Sequence, residues 1–399
     1  MAHTKWYMST EGIMALLYVF QFILKINPNW DNNGNLDLLY FAAIYILLRS
    51  KDIKKKYVIK NSFLLLLPFF AIELVNYVHN GSIFDMARSV IFMTKMFLCF
   101  VCMLYVVKIL SNINLQKFIN YTTALYLVCT FVAMFIRGPL LWRPLEGRME
   151  LFYLEPGELS VYVSLVFVLQ MYICIETRYT KRTICNMAVL LVVLIFARGM
   201  SGITAGSIAL AIIFVFAKKN SRTASVTNLA ISLVVTCAVI LLSTENVVSN
   251  RVTAVMEGTD YSFETRKTGN QEIVTYYLSN NDWYGYGFGS QRSEEGFKTL
   301  GEMNITAAYP MFAFEGGFAA IAFIIIYNLY VLCYVIKRRN ALGLAFLTFN
   351  FLYLLYGSFM TNPISWILYG MAMSFNGINK IGIYKYEQRS KCDRACIQR

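Results

Sequence analysis

Residues 61–110 read NSFLLLLPFFAIELVNYVHNGSIFDMARSVIFMTKMFLCFVCMLYVVKIL. Two apolar runs, 61–78 and 86–110, flank a short polar turn. Each is close to the roughly 20 residues that a helix needs to cross a bilayer. Both runs are continuous rather than alternating, which argues against a β-barrel. The alternative to a barrel in lipid is the helix, because only these two structures satisfy every backbone polar group internally.

The same pattern extends along the chain. Of 399 residues, 57% are hydrophobic and only 15% are charged, against a norm of about 25% charged in soluble domains. Twelve apolar segments can be read, at 8–26, 36–48, 61–78, 86–110, 116–136, 157–176, 183–198, 202–217, 226–243, 307–336, 341–357 and 362–378. The stretch 183–217 admits another division, because Gly199, Gly202 and Gly206 cluster within it. The expected fold is all-α: one polytopic transmembrane domain over 1–399, with about 12 membrane helices. An ordinary soluble enzyme, a secreted disulfide scaffold and a disordered chain are excluded.

Positive charge sets the orientation. Twenty-four of the 36 Lys and Arg fall in alternate short turns and the two termini, including RSKDIKKKYVIK (49–60), ETRYTKRT (176–183) and IKRRN (336–340). Ten fall on the other side, and Lys25 and Lys95 lie within spans. Both termini are therefore expected inside. The net charge of +13 is read as cytoplasmic loops, not as nucleic-acid binding. Two longer loops are placed outside: 137–156, and 244–306 between spans nine and ten. The latter contains NDWYGYGFGS (281–290), too aromatic for disorder, and is expected to cap an outward cavity.

Several signals limit the chemistry. The N-terminus carries no cleavable signal pattern. Cys99 and Cys102 form CxxC inside an apolar run, which reads as core, and no structural disulfide is expected. The only histidines are His3 and His79, which excludes a His-rich zinc site. With no DxD, no HExxH and few Asp outside, neither a metal nor a cofactor is expected.

What remains on the outer side is arginine. Guanidinium groups stay charged and grip phosphate through paired hydrogen bonds. Arg148, Arg198 and Arg266 are the candidate pyrophosphate ligands. Glu155-Pro156-Gly157-Glu158 reads as a helix start, because Pro suits the first helical turn. Glu155 and Glu158 are either acids complementing the helix dipole or candidate general bases. The segment Arg198-Gly-Met-Ser201-Gly-Ile-Thr204 combines a boundary charge with small residues that allow close helix approach. Lys95, deep in a span, needs a partner, and Glu73 is the obvious one. Arg88, Arg143, Arg251, Tyr286, Asn304 and Glu315 are further candidate substrate contacts. For each, a solvated loop charge or simple packing is the competing reading.

This organisation resembles the Wzy-type O-antigen and capsule polymerases, which share a superfamily with the O-antigen ligases. The resemblance covers nearly the whole chain as topology. Its residue-level carriers are Arg148 with Leu154-Glu155-Pro156, Arg198-Gly-Met-Ser201, Arg266 in SFETRKTGNQEI, NDWYGYGFGS, and Asn304 through Phe314-Glu315-Gly316-Gly317. It implies an enzyme of the bacterial inner membrane acting at the periplasmic face. The growing glycan would pass from undecaprenyl pyrophosphate to the terminal sugar of an incoming lipid-linked repeat. It implies a substrate linked to undecaprenyl pyrophosphate, contact with membrane lipid, a separate chain-length regulator as partner, and no nucleic acid. The ligase branch usually carries a His late in the long loop, where this chain reads GEMNIT (301–306), which favours polymerase. A repeat-unit flippase is a further alternative, but no internal repeat is visible and the longest loop follows span nine.

Overall fold

The computed structural model describes residues 9–20, 38–49, 55–80, 85–109, 113–138, 141–143, 147–153, 155–176, 180–216, 253–254, 256–259, 264, 268, 271–272, 275, 283–290, 307–356 and 360–374. Among them are eleven helices of ten or more residues: α1 (Thr10–Val19), α2 (Leu38–Arg49), α3 (Lys55–Asn80), α4 (Met86–Ile109), α5 (Leu115–Phe135), α6 (Pro156–Glu176), α7 (Lys181–Ala197), α8 (Met200–Phe216), α9 (Ala308–Lys337), α10 (Ala341–Tyr356) and α11 (Pro363–Ser374). Eleven of the twelve expected segments coincide with one of these helices, and the ninth, 226–243, lies outside the described residues. Five helices (α3, α4, α5, α6 and α9) are long and apolar enough to cross a membrane. The 183–217 stretch divides at Arg198-Gly199.

Helix boundaries depart from the apolar runs where cations sit. α3 begins at Lys55, ahead of the expected 61, so Lys55, Lys56 and Lys60 lie on helical turns. Long cationic side chains tolerate such a position because their stems cover apolar surface while the charge reaches water. Caps set other ends. Asn114 accepts from the Lys117 N–H at 3.0 Å and starts α5, and Thr180 with Thr183 forms a reciprocal capping box at α7.

The most extensive helix contacts are α6 on α8, α8 on α10 and α4 on α11. At the α6–α8 crossing, a Cβ on Gly202 would overlap the Ser160 backbone, so only glycine permits that approach. The same core continues around Phe69 of α3, whose ring meets Phe92, Phe100, Phe312 and Phe323. Cys99 and Cys102 are buried core thiols directed at the carbonyls of Thr361 and Leu39.

Contacts show which helix ends lie together. Arg148, just before α6, bonds the last carbonyls of α7. Phe20 after α1 packs on Phe152, and Tyr309 at the start of α9 packs on Phe351 near the end of α10. Tyr40 of α2 bonds the Thr361 carbonyl just before α11. One end of the bundle thus gathers the short non-helical segments. The opposite end carries Arg49, Lys55, Lys117, Lys181 and Lys337 at helix termini. Near that basic end, Gln116 and Asn120 of α5, Gln170 of α6 and Asn186 of α7 form a closed amide cluster at 2.8–3.4 Å. Interhelical amide bonds of this kind hold apolar helices together without a hydrophobic driving force.

Candidate functional site

The first candidate region is a corner at the non-basic end. It begins with a two-stranded antiparallel hairpin, β1 (Trp142–Arg143) and β2 (Arg148–Met149), in which Arg143 lies opposite Arg148. Arg148 is 8% exposed. Its Nε donates to the Ala197 carbonyl at 3.4 Å and an Nη to the Arg198 carbonyl at 3.2 Å. Helix C-termini leave carbonyls without intrahelical partners and favour cations, so Arg148 caps α7 from a distant part of the chain. Arg198 is the C-cap of α7, left-handed at φ 51°, and its side chain is half-buried. A left-handed non-glycine residue costs about 1–2 kcal/mol, which the clamp on its carbonyl offsets.

From Arg148 the chain runs through Glu150, buried at 9%, to Leu151 and Phe152. These two residues both have positive φ, 46° and 71°. Such strain persists only where neighbours over-determine it. Here the Glu150 and Leu151 N–H groups both donate to the Leu141 carbonyl. The Tyr153 hydroxyl bridges the Tyr126 hydroxyl (2.8 Å) and the Tyr18 carbonyl (2.7 Å). Burial pushes the Tyr153 phenol well above its usual value, so it stays a neutral donor.

α6 then opens at Pro156, as its sequence predicts, with the Glu155 carbonyl accepting from the Glu158 and Leu159 N–H groups. Glu155 is exposed and Glu158 half-buried. The start of α8 meets the start of α6: a Cβ on Gly199 would lie 2.8 Å from the Pro156 carbonyl, and one on Gly157 3.6 Å from Ser201 Oγ. Two helix N-termini, both positive dipole ends, therefore converge beside Arg198. The structure brings Arg148, Arg198, Glu155 and Glu158 to this one corner. The corner can hold an anion at Arg198 and presents an exposed carboxylate next to it.

The second region is a groove. α9 is broken at Gly317, whose φ of 64° and ψ of −162° suit only glycine. The break frees backbone groups that residues 283–288 take up: Tyr286 N–H to the Phe314 carbonyl (3.2 Å), Gly287 N–H to the Glu315 carbonyl (2.9 Å) and Phe318 N–H to the Trp283 carbonyl (3.1 Å). Asn76 joins both sides, accepting from Gly285 N–H at 3.0 Å and donating to the Glu315 carbonyl at 3.1 Å. A Cβ on Gly285 would overlap that carbonyl. Glu73, expected beside Lys95, gives its carboxylate instead to the Phe288 N–H (3.0 and 3.2 Å) and the Ser89 hydroxyl. The acid here anchors a segment rather than neutralising a lysine.

The remaining expected residues are distributed as follows. Tyr286 is buried with its ring stacked on Phe314, facing the protein. Glu315 is buried at 3% in the α9 break. Arg88 pairs at 3.2 Å with Asp85, whose Oδ1 also accepts from the Arg88 N–H at the start of α4. Arg143 is placed only as a hairpin residue. Arg251, Arg266 and Asn304 lie outside the described residues, as does most of 244–306. Among the described residues no group of His, Cys, Asp and Glu has the arrangement of a metal site.

Sequence reasoning passed over Glu150. Glu150 is two residues from Arg148 on an extended segment, so the two share a face; reading 137–156 as irregular loop hid that signal. Trp283 and Tyr284, unlike Tyr286, keep exposed rings. Compared with protein-family models and with curated proteins, the chain matches none.

Proposed function

We propose that the protein is a polymerase of lipid-linked oligosaccharide repeat units in a bacterial inner membrane. In this reading the corner faces the periplasm and the basic end faces the cytoplasm, as the distribution of Lys and Arg favours. The full span count is twelve, with both termini inside. The growing glycan leaves undecaprenyl pyrophosphate and joins the terminal sugar of an incoming lipid-linked repeat.

The observation that carries this reading is the convergence of Arg198, Glu155 and two helix N-termini at the end of an apolar helix bundle. Undecaprenyl pyrophosphate is a good leaving group, so the reaction needs little acid catalysis. It needs charge stabilisation as the anomeric C–O bond breaks, and removal of the acceptor hydroxyl proton as the new bond forms. Arg198 and the α6 and α8 N-termini supply positive potential for the departing pyrophosphate. Glu155, exposed and adjacent, takes the hydroxyl proton, with Glu158 as the second candidate. Arg148 acts as a positioning residue: its guanidinium is committed to the carbonyls of Ala197 and Arg198 and holds Arg198 in place. Arg266 keeps its proposed role as a further pyrophosphate ligand.

The test is a surface-glycan gel from a strain lacking this chain, with and without wild-type complementation. Collapse of a ladder to core plus one repeat, restored by the wild-type chain, supports the polymerase. Loss of all repeats from the lipid core while lipid-linked polymer accumulates identifies a ligase instead. An unchanged ladder removes both readings.

A further inference from the structure

Backbone accounting in the groove leads beyond the reaction. Four consecutive N–H groups, Gly285 to Phe288, donate to Asn76 Oδ1, the Phe314 and Glu315 carbonyls and the Glu73 carboxylate. A loop in water has no need of such an unbroken run of internally paired N–H groups, because water serves each one. Non-helical backbone at membrane depth does need it, since an unsatisfied group there costs several kcal/mol. The Phe288 ring is 1% exposed and stacks on Phe92 at 4.5 Å, and it also meets Phe69 at 5.7 Å. Phe92 lies six residues into α4, roughly 9 Å from its first residue at 1.5 Å per residue.

The approach to that point is aromatic and exposed. Trp283 is 56% exposed and packs edge-on against Phe318 at 5.5 Å. Tyr284 stacks on His79 at 3.7 Å. Phe318 continues the exposed apolar row of α9 through Ile325, Ile326 and Leu329, and a matching row on α3 runs from Leu67 through Phe70 to Leu74 and Val78. Rows of this kind on spanning helices face lipid. Amphipathic rings at their ends occupy the headgroup layer.

We propose that residues 283–290 form a re-entrant segment. The chain crosses the lipid headgroup layer at Trp283 and Tyr284 and carries Phe288 to hydrocarbon depth, turning at Gly287–Ser290, where the Ser290 N–H bonds the Gly287 carbonyl at 3.1 Å. The partner of the exposed rings is the bilayer interface itself. Trp142, also at the non-basic end, is a second aromatic ring in such a setting: its Nε1 bonds the Ala133 carbonyl, Arg137 lies 5.9 Å over its ring, and exposed Phe131 and Phe135 precede it on α5. The sequence reading of 244–306 as an external cap is thereby refined for these eight residues, which belong to the membrane body. This inference stands independently of the polymerase reading.

The test uses the full chain in phosphatidylcholine vesicles containing lipids spin-labelled at the headgroup, near the carbonyl end of the acyl chain, or near its methyl end. The Trp283 signal is the difference between wild type and Trp283→Phe. Shallow labels are expected to quench it about twofold more than the methyl-end label, as for an interfacial ring. Quenching by aqueous iodide with no effect of any lipid label overturns the proposal, as does protection from iodide by added oligosaccharide, which marks a sugar platform in water. Hydrogen exchange on the wild-type protein gives a second readout that needs no variant. Peptides covering 285–288 should exchange about a hundredfold more slowly than an open loop, and fast exchange overturns the proposal.

Discussion

The corner and the groove solve the same problem with different groups. Both fold a non-helical segment onto helices that have backbone groups to satisfy. At the corner a side chain does this: Arg148 reaches the free carbonyls of α7, and the acid and cation nearby, Glu155 and Arg198, keep surface exposure. In the groove the backbone does it, and the acids are consumed: Glu73 holds Phe288 and Glu315 is buried in the helix break. A carboxylate whose oxygens already accept from the backbone, as Glu73 does, has fewer acceptor sites left for a substrate. In the proposed reading, this difference places the chemistry at the corner and leaves the groove as architecture.

Four substitutions break or sharpen that division. Gly317→Ala has the largest expected effect on stability. Its Cβ would crowd the Gly285 nitrogen and the Trp283 carbonyl, in a backbone conformation closed to other residues. Overpacking and strain together predict a loss of about 4 kcal/mol, read as a sharp fall in thermal midpoint in detergent. Arg148→Ala follows at about 2–3 kcal/mol, because the buried Ala197 carbonyl and the partly buried Arg198 carbonyl lose a charged donor. Its diagnostic is rescue: lysine, a single point charge, should restore less than half of the loss. Glu73→Gln should cost about 1.5–2 kcal/mol through loss of a charge-assisted bond and speed exchange at 285–288 while leaving the corner protected. Smallest is Tyr153→Phe, about 1 kcal/mol for one hydroxyl bridging two partners, measured as a modest midpoint shift. If Tyr153→Phe instead matched Gly317→Ala, the strained strap at Leu151–Phe152 would carry more of the fold than this account gives it.

The helices were legible because run length is a local property. The 86–110 run and α4 differ by one residue at one end, and Pro156 marked the start of α6 by fixing its own backbone. The Gly316-Gly317 pair was visible, but the break it makes depends on a segment some thirty residues away in sequence that donates to the freed carbonyls and accepts from the Phe318 N–H. Arg148 read as a ligand because its burial is set by where α7 ends in space, which no local pattern encodes. The same holds for Glu73, whose partners are a backbone N–H supplied by 283–290 and the Ser89 hydroxyl rather than Lys95 of the next span. Tyr286 and Trp283 carry the same aromatic signal in sequence, and only the point at which the segment passes beneath the α9 break, between Tyr284 and Gly285, separates the exposed rings from the buried ones.

The most direct test of the division is the turnover of Arg198→Ala on a synthetic lipid-linked repeat, compared with wild type at matched amounts of folded protein. Removing one preorganised charge from the departing pyrophosphate predicts a fall of about 10²–10³ in polymerisation rate with the thermal midpoint nearly unchanged. A rate within a few-fold of wild type would contradict the account and take the chemistry away from the corner.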